Sequence, residues 1–325
     1  MFECFDQYVR IDTTSDRDSE TFPSTEKQKD LSRLLAAELR ELGLEDAEMD
    51  AYGYVYATLP STLPASEAAV TPTVALLAHV DTSQDEPGGP VVPVLHENYD
   101  GTVTRLPGGP AVRRDPARSP ALREHVGHDL ITSDGTTLLG SDDKAGCAVI
   151  VQAVEDLLAD PSQPRPPVRI CFTVDEEVGR GVDELDLDRL GADVAYTIDG
   201  SGTGTLSYET FNAAAALIEV TGVNVHPGYA KDVMANAVTI LAGILDELPA
   251  DEAPETTEDR EGYFCPIEVS GTISSARSRL LLRDFTSEGL AARKRRIEDL
   301  AVAARREHPR ARIEVCGFQQ TSRAS

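Results

Sequence analysis

Val74-Ala75-Leu76-Leu77-Ala78-His79-Val80-Asp81 is an apolar run that ends in an imidazole and, two residues on, a carboxylate. A short apolar stretch without polar alternation suits a strand buried on both faces, as in a sheet covered by helices. Val168 to Val174 and Val194 to Ile198 are two further runs of this kind and are read as buried strands. Helical spacing lies between and before them. Leu31, Leu34, Leu35, Leu39 and Leu42 share one face of a helix that stops at Gly43, and Ala145 to Leu158 forms another that closes at Asp160-Pro161. Val55 to Leu59 adds a strand ending at Pro60, and residues 84–125, rich in Pro, Gly and Arg, read as a long loop with short strands. Alternating strands and helices predict an α/β sheet with helices on its faces. Polar groups in such sheets gather beyond the carboxyl ends of the strands.

Four segments fall where that rule places them: His79-Val80-Asp81, Asp142-Asp143, Glu176-Glu177 and Asp199. One imidazole among several carboxylates is a donor mixture suited to a pair of zinc ions. Each segment also has a plainer reading. His79 alone could be a structural histidine, but Asp81 can accept a hydrogen bond from the ring nitrogen that faces away from a metal, fixing tautomer and orientation. Asp142 and Asp143 could be a solvated pair at a helix N-terminus, where the helix dipole favours negative charge. Glu176 and Glu177 are neighbours, so both reach one site only if the strand has already turned.

From about Ser207 the pattern changes. Strands at Ala213–Val220, Ile267–Ser274, Arg279–Phe285 and Ala311–Cys316 alternate with helices at Met234–Leu248 and Glu288–Arg306. The order βαββαβ is the ferredoxin-like split unit. Residues 249–262 form an acidic loop within it. The predicted division is a first domain over 1–206, a second over 207–316 and a tail over 317–325.

The formal net charge of −26 over 325 residues argues against nucleic acid or an anionic membrane as partner, since both reward Lys and Arg. No stretch approaches the roughly 20 apolar residues of a membrane span. Residues 1–14 carry Glu3, Asp6 and Asp12 and lack the basic start and apolar block of a signal peptide, so a cytoplasmic location is expected. Five scattered cysteines without a CxxC spacing are expected to be reduced thiols.

The order of these segments resembles the tripeptide-aminopeptidase (peptidase T) branch of the M20 metallopeptidase family. The resemblance is carried by Pro23-Ser24-Thr25-Glu26, His79-Val80-Asp81-Thr82-Ser83, Thr137 to Gly146, Asp175 to Gly179, Ala195 to Gly200, Asn224-Val225-His226-Pro227-Gly228 and Arg283-Asp284-Phe285. It implies a catalytic domain with a mixed sheet flanked by helices, an inserted ferredoxin-like lid that also serves as a dimer surface, and two zinc ions. It further implies that His79 and Asp199 serve one ion, Glu177 the other, and Asp142 both. Glu176 would be the general base, and Asp81 the partner of His79. His226 and Arg283 would present the lid to a small peptide substrate, with Asn236 a further candidate; an ion pair with Asp284 or another acid is the alternative for Arg283. The family pattern continues past the lid into a Gly-rich segment and a last zinc-binding histidine, which Glu314 to Ser325 does not match. The expectation is therefore a truncated catalytic domain with a compromised second zinc site. Another M20 dipeptidase or amidase, and a non-catalytic remnant, are the rival expectations.

Overall fold

The computed structural model describes residues 2–109, 113–200 and 202–321. The chain divides into two compact units, Met1–Thr203 and Gly204–Ser325.

In the first unit, α1 (Phe2–Val9), α2 (Gln28–Glu41), β1 (Glu48–Met49), β2 (Val55–Leu59), α3 (Ala65–Ala68) and β3 (Val74–His79) follow one another. The region read as loop holds β4 (Val94–His96), β5 (Thr104–Arg105), β6 (Arg113–Arg114) and β7 (Leu130–Thr132), joined as the two-stranded pairs β4–β7 and β5–β6. Then come α4 (Ser141–Ala159), β8 (Val168–Thr173), α5 (Leu187–Leu190) and β9 (Val194–Thr197). The main sheet has the order β1-β2-β8-β3-β9 and is mixed: β8, β3 and β9 are mutually parallel, while β1 and β2 pair antiparallel, as do β2 and β8. Parallel pairing of His79 with Thr173 and of Leu77 with Thr197 brings the three carboxyl ends to one edge. The core beneath it includes Leu31, Leu35 and Leu39 of α2, Ile150 and Val154 of α4, and Ile170 and Phe172 of β8.

Two features depart from the sequence expectation. Val194 and Tyr196 are each 46% exposed on β9, which among the described residues pairs with β3 alone at the sheet edge; a short apolar run looks alike at the edge and in the middle. The N-terminal helix α1, which packs on α4 through buried Phe5, Tyr8 and Val9, has no counterpart in the sequence reading, since eight residues give few periods to read.

The second unit is built from β10 (Asn212–Thr221), α6 (Ala237–Asp246), β11 (Tyr263–Gly271), β12 (Ser275–Asp284), α7 (Ser287–Glu307) and β13 (Arg312–Thr321). Its sheet is antiparallel throughout in the order β11-β12-β10-β13, the arrangement of a ferredoxin-like split unit. Ala214, Ala216, Ile218 and Val220 alternate into a core shared with Ile240, Leu241 and Ile244 of α6 and Ile297 and Leu300 of α7. The β11–β12 turn falls at 272–274, one residue or more before the expected place. The last strand also runs on to Thr321 rather than stopping at Cys316. Its register steps from Leu217↔Cys316 to Ala215↔Gln319, a bulge that Gly317 permits by taking φ +41°.

Candidate metal centre

His79 is the last residue of β3, and its backbone is held from two sides. Its N–H donates to Asp143 Oδ2 (3.3 Å), and its carbonyl accepts from Cys147 Sγ (3.5 Å). Ring atom Nδ1 lies 3.0 Å from the Asp81 carbonyl and 3.3 Å from Asp81 Oδ1. That leaves Nε2 facing Asp142 Oδ1 at 3.0 Å, Asp199 Oδ2 at 3.8 Å and Glu176 Oε2 at 3.9 Å. A ligating histidine commonly has its other nitrogen tied in this way, which fixes the ring and raises its basicity.

Asp142 and Asp143 stand at the start of α4, but both have non-helical backbone angles and the peptide between them is cis. Asp142 reaches His79, whereas Asp143 is buried and accepts from the Gly146 amide at 3.1 Å. A Cβ at Gly146 would collide with the Ile198 carbonyl and the Asp143 carboxylate, so glycine is what lets α4 approach the exit of β9. The two glutamates turn toward the site because fully buried Asp81 takes both of their amides, Glu176 N–H on Oδ1 (3.0 Å) and Glu177 N–H on Oδ2 (3.1 Å).

The centre therefore crowds anions around one imidazole. Burial opposes charge on His79, but hydrogen bonds to Asp142 and Asp81 outweigh it and push the ring up to about 11. Burial raises Asp143 to about 8, against the pull of His79 and with repulsion from Asp199. Burial, then repulsion from Asp142, raises Glu177 to about 7, while the bond from His79 lowers Asp142. Crowding and burial without a neutralising charge keep protons on these carboxyls toward neutrality. Ligand atoms of His79, Asp143 and Asp199 lie within 4.8 Å of one another, as do those of His79, Asp142 and Glu177. Either trio offers nitrogen and oxygen donors of the kind that divalent zinc takes.

Six predicted residues thus meet at one edge of the sheet: His79, Asp81, Asp142, Glu176, Glu177 and Asp199. Asp143 joins them, a residue for which sequence reasoning assigned no role, although the doubled aspartate was its signal. The remaining three candidates belong to the second unit, and each has a local task there. His226 Nδ1 accepts from the Gly228 amide (3.1 Å) and its ring lies 5.9 Å from that of Tyr229. Asn236 caps α6, its Oδ1 accepting from the Val238 amide (3.1 Å). The Arg283 guanidinium lies 4.2 Å over the Phe211 ring, and Asp284 is engaged by Arg293 (3.1 Å). Beside the centre, a cleft of about 440 Å³ is bordered by Asp142, Leu130, Leu139, His96 and His125.

Among the described residues no helix is long and apolar enough to cross a membrane. The profile of the peptidase dimerisation domain of M20 proteins matches residues 208–320. Peptidase T of an Exiguobacterium species is 47% identical over 308 residues, covering 95% of this chain and 74% of the relative. Peptidase T of Halothermothrix orenii is 46% identical over 290 residues, covering 89% and 70%. In fold the chain is similar to a tripeptidase from Staphylococcus aureus (TM-score 0.69, 21% identity, 98% of this chain and 74% of that one). It is similar too to aminopeptidase PepT from Bacillus cereus (TM-score 0.66, 22% identity, 97% and 74%). A dinuclear metal-binding M20 peptidase from Bacillus subtilis shares the fold at a TM-score of 0.55 and 12% identity, over 98% and 74%. With nearly half of its residues identical to those of the two peptidase T relatives over almost its whole length, this chain belongs to the peptidase T family of M20 metallopeptidases.

Proposed function

We propose that the chain is a zinc-dependent aminopeptidase that removes the first residue from tripeptides, with His79, Asp142, Asp143, Glu177 and Asp199 as the metal-holding set. The observation that carries this reading is the convergence of one oriented imidazole and five carboxylates at the edge where β3, β8 and β9 end. Bound zinc supplies a Lewis acid and brings the pKa of water toward about 7. Glu176 takes the proton of the attacking water and passes it to the leaving amine, the work of a general base that becomes a general acid. Asp81 keeps His79 in one orientation and holds the turn that carries Glu176. Within the second unit, His226 and Arg283 are the side chains proposed for binding peptide, a guanidinium suiting a carboxylate. Residues 208–320 match a dimerisation domain, so a homodimer through this unit is part of the reading. A cytoplasmic location belongs to it as well, in keeping with cysteines that are all free.

Both candidate trios share His79, and one imidazole nitrogen serves one ion. On this reading one ion would take three of the described residues and a second ion two carboxylates. Zinc titration of the purified chain, with tripeptide turnover measured in parallel, tests the proposal. One tight and one weaker zinc are expected, with release of the first residue that Glu176→Gln abolishes. No release from zinc-loaded protein, or release that survives Glu176→Gln, overturns it.

A further inference from the structure

Asp175 lies immediately before the two glutamates and is 0% exposed. Its backbone is left-handed, φ +56°, a region that side-chain-bearing residues seldom occupy and that Asp and Asn tolerate best. The carboxylate is bound by Ser24 in the loop before α2 and by Gln28, the first residue of that helix. Oδ2 accepts from the Ser24 amide (2.7 Å), and Oδ1 from Ser24 Oγ (2.5 Å) and Gln28 Nε2 (2.6 Å). Gln28 returns the contact: its Oε1 accepts from the Asp175 amide at 3.0 Å. Gln28 is itself fully buried. Arg180 closes the turn, its amide donating to the Asp175 carbonyl (2.9 Å), and its guanidinium stands 4.0 Å from Oδ2.

A strand that continued through this point would send Glu176 and Glu177 to opposite faces. The left-handed residue breaks the alternation, and Asp81 then captures both following amides. Asp81 holds the turn by those amides. The Ser24–Gln28 clasp holds it by the Asp175 carboxylate.

We propose that Asp175, clasped by Gln28 and Ser24, is a positioning residue that sets the turn presenting both Glu176 and Glu177 to the metal centre. The inference rests on the reading of that centre given above. It explains why Ser24 and Gln28 are buried with polar side chains aimed at a buried carboxylate.

The chemistry of the clasp supplies its own test. In Asp175→Asn an amide N–H₂ replaces one acceptor and faces the donors of Gln28 or Ser24. In Gln28→Glu two carboxylates meet in the interior. Combined, the two changes restore a matched pair. The new amide N–H₂ at position 175 donates to the new carboxylate at position 28, the amide oxygen keeps the Ser24 N–H, and the Ser24 hydroxyl reorients. The full chain is titrated with Co²⁺, reading affinity and visible absorption, and the metal-free protein is melted alongside. Each single variant is expected to bind Co²⁺ about 10- to 100-fold more weakly with an altered spectrum, and the double variant to recover both. Ser24→Ala, a milder cut of the same clasp, gives a smaller loss in the same direction should a single variant not fold. Wild-type affinity and spectrum in Asp175→Asn, with only the melting temperature lowered, would overturn the proposal. So would a double variant no better than the singles. Glu177→Gln separates the two claims: if it leaves Co²⁺ affinity unchanged, the reading of the centre falls and the positioning role with it. If it weakens binding while Asp175→Asn does not, the positioning role alone fails.

Discussion

Replacing Asp81 by Asn keeps its shape and removes its charge, and the consequences can be worked bond by bond. The carboxylate takes two amide N–H groups, Glu176 on Oδ1 and Glu177 on Oδ2, and Oδ1 also stands 3.3 Å from His79 Nδ1, whose nearer acceptor is the Asp81 carbonyl at 3.0 Å. An amide group must place its N–H₂ on one side or the other. On either side it opposes one amide N–H. A hydrogen bond to a charged group contributes about 1.5–3 kcal/mol, and the one bond that remains becomes a neutral one of about 1 kcal/mol. Removing a buried charge returns part of this as desolvation relief. The expected net loss is about 2–3 kcal/mol in the stability of the metal-free protein, read as a lowered urea midpoint. Because the glutamate turn is loosened while the Asp81 carbonyl still holds the His79 ring, zinc affinity is expected to drop about 10-fold, read by competition with a chelating dye. If Asp81→Asn matches the wild type in both urea midpoint and zinc affinity, the Asp81 carboxylate does not hold the turn.

The metal-free centre should lose stability as pH rises. His79, Asp143 and Glu177 all have folded-state pKa values raised above their unfolded ones, to about 11, 8 and 7. Such groups stabilise fully below their unfolded pKa, and this is lost through the folded pKa, so urea midpoints should fall from about pH 4 to about pH 8 as the two carboxyls ionise, and on to about pH 11 as His79 loses its proton. Zinc affinity should rise over the first of these ranges, because the protons on Glu177 and Asp143 must leave; a flat affinity profile would count against their role. Leu35→Ala, in a fully buried α2 position, is expected to cost about 2–5 kcal/mol in the same unfolding assay. Gly317→Ala should lower the melting temperature of the second unit by an amount equivalent to about 1–2 kcal/mol, since its φ of +41° disfavours a Cβ.

Much of the architecture was legible from spacing alone. The run from Val74 to Ala78 is strand β3, the leucines from Leu31 to Leu39 line one face of α2, and the βαββαβ order of the second half appears strand for strand. Boundaries were less legible where a backbone device stepped in. The last strand, expected to end at Cys316, runs on through a bulge at Gly317, and Asn236 starts α6 by capping it rather than lying inside it. Val194 to Ile198 read as a buried strand, but Val194 and Tyr196 lie exposed on the edge strand β9.

Local sequence determined which residues stand at the strand exits, because periodicity of 2 or 3.6 records which side chains are buried as the chain passes through a layer. Whether consecutive carboxylates then point to one place is not a periodic property. It was decided by hydrogen bonds that join distant segments: Asp81 to the amides of Glu176 and Glu177, 95 and 96 residues away, and Gln28 to Asp175 across 147. Asp143 enters the centre for the same reason, its carboxylate bound to the His79 amide 64 residues upstream. Sequence named these side chains; only the folded chain, by closing those loops, brought them together.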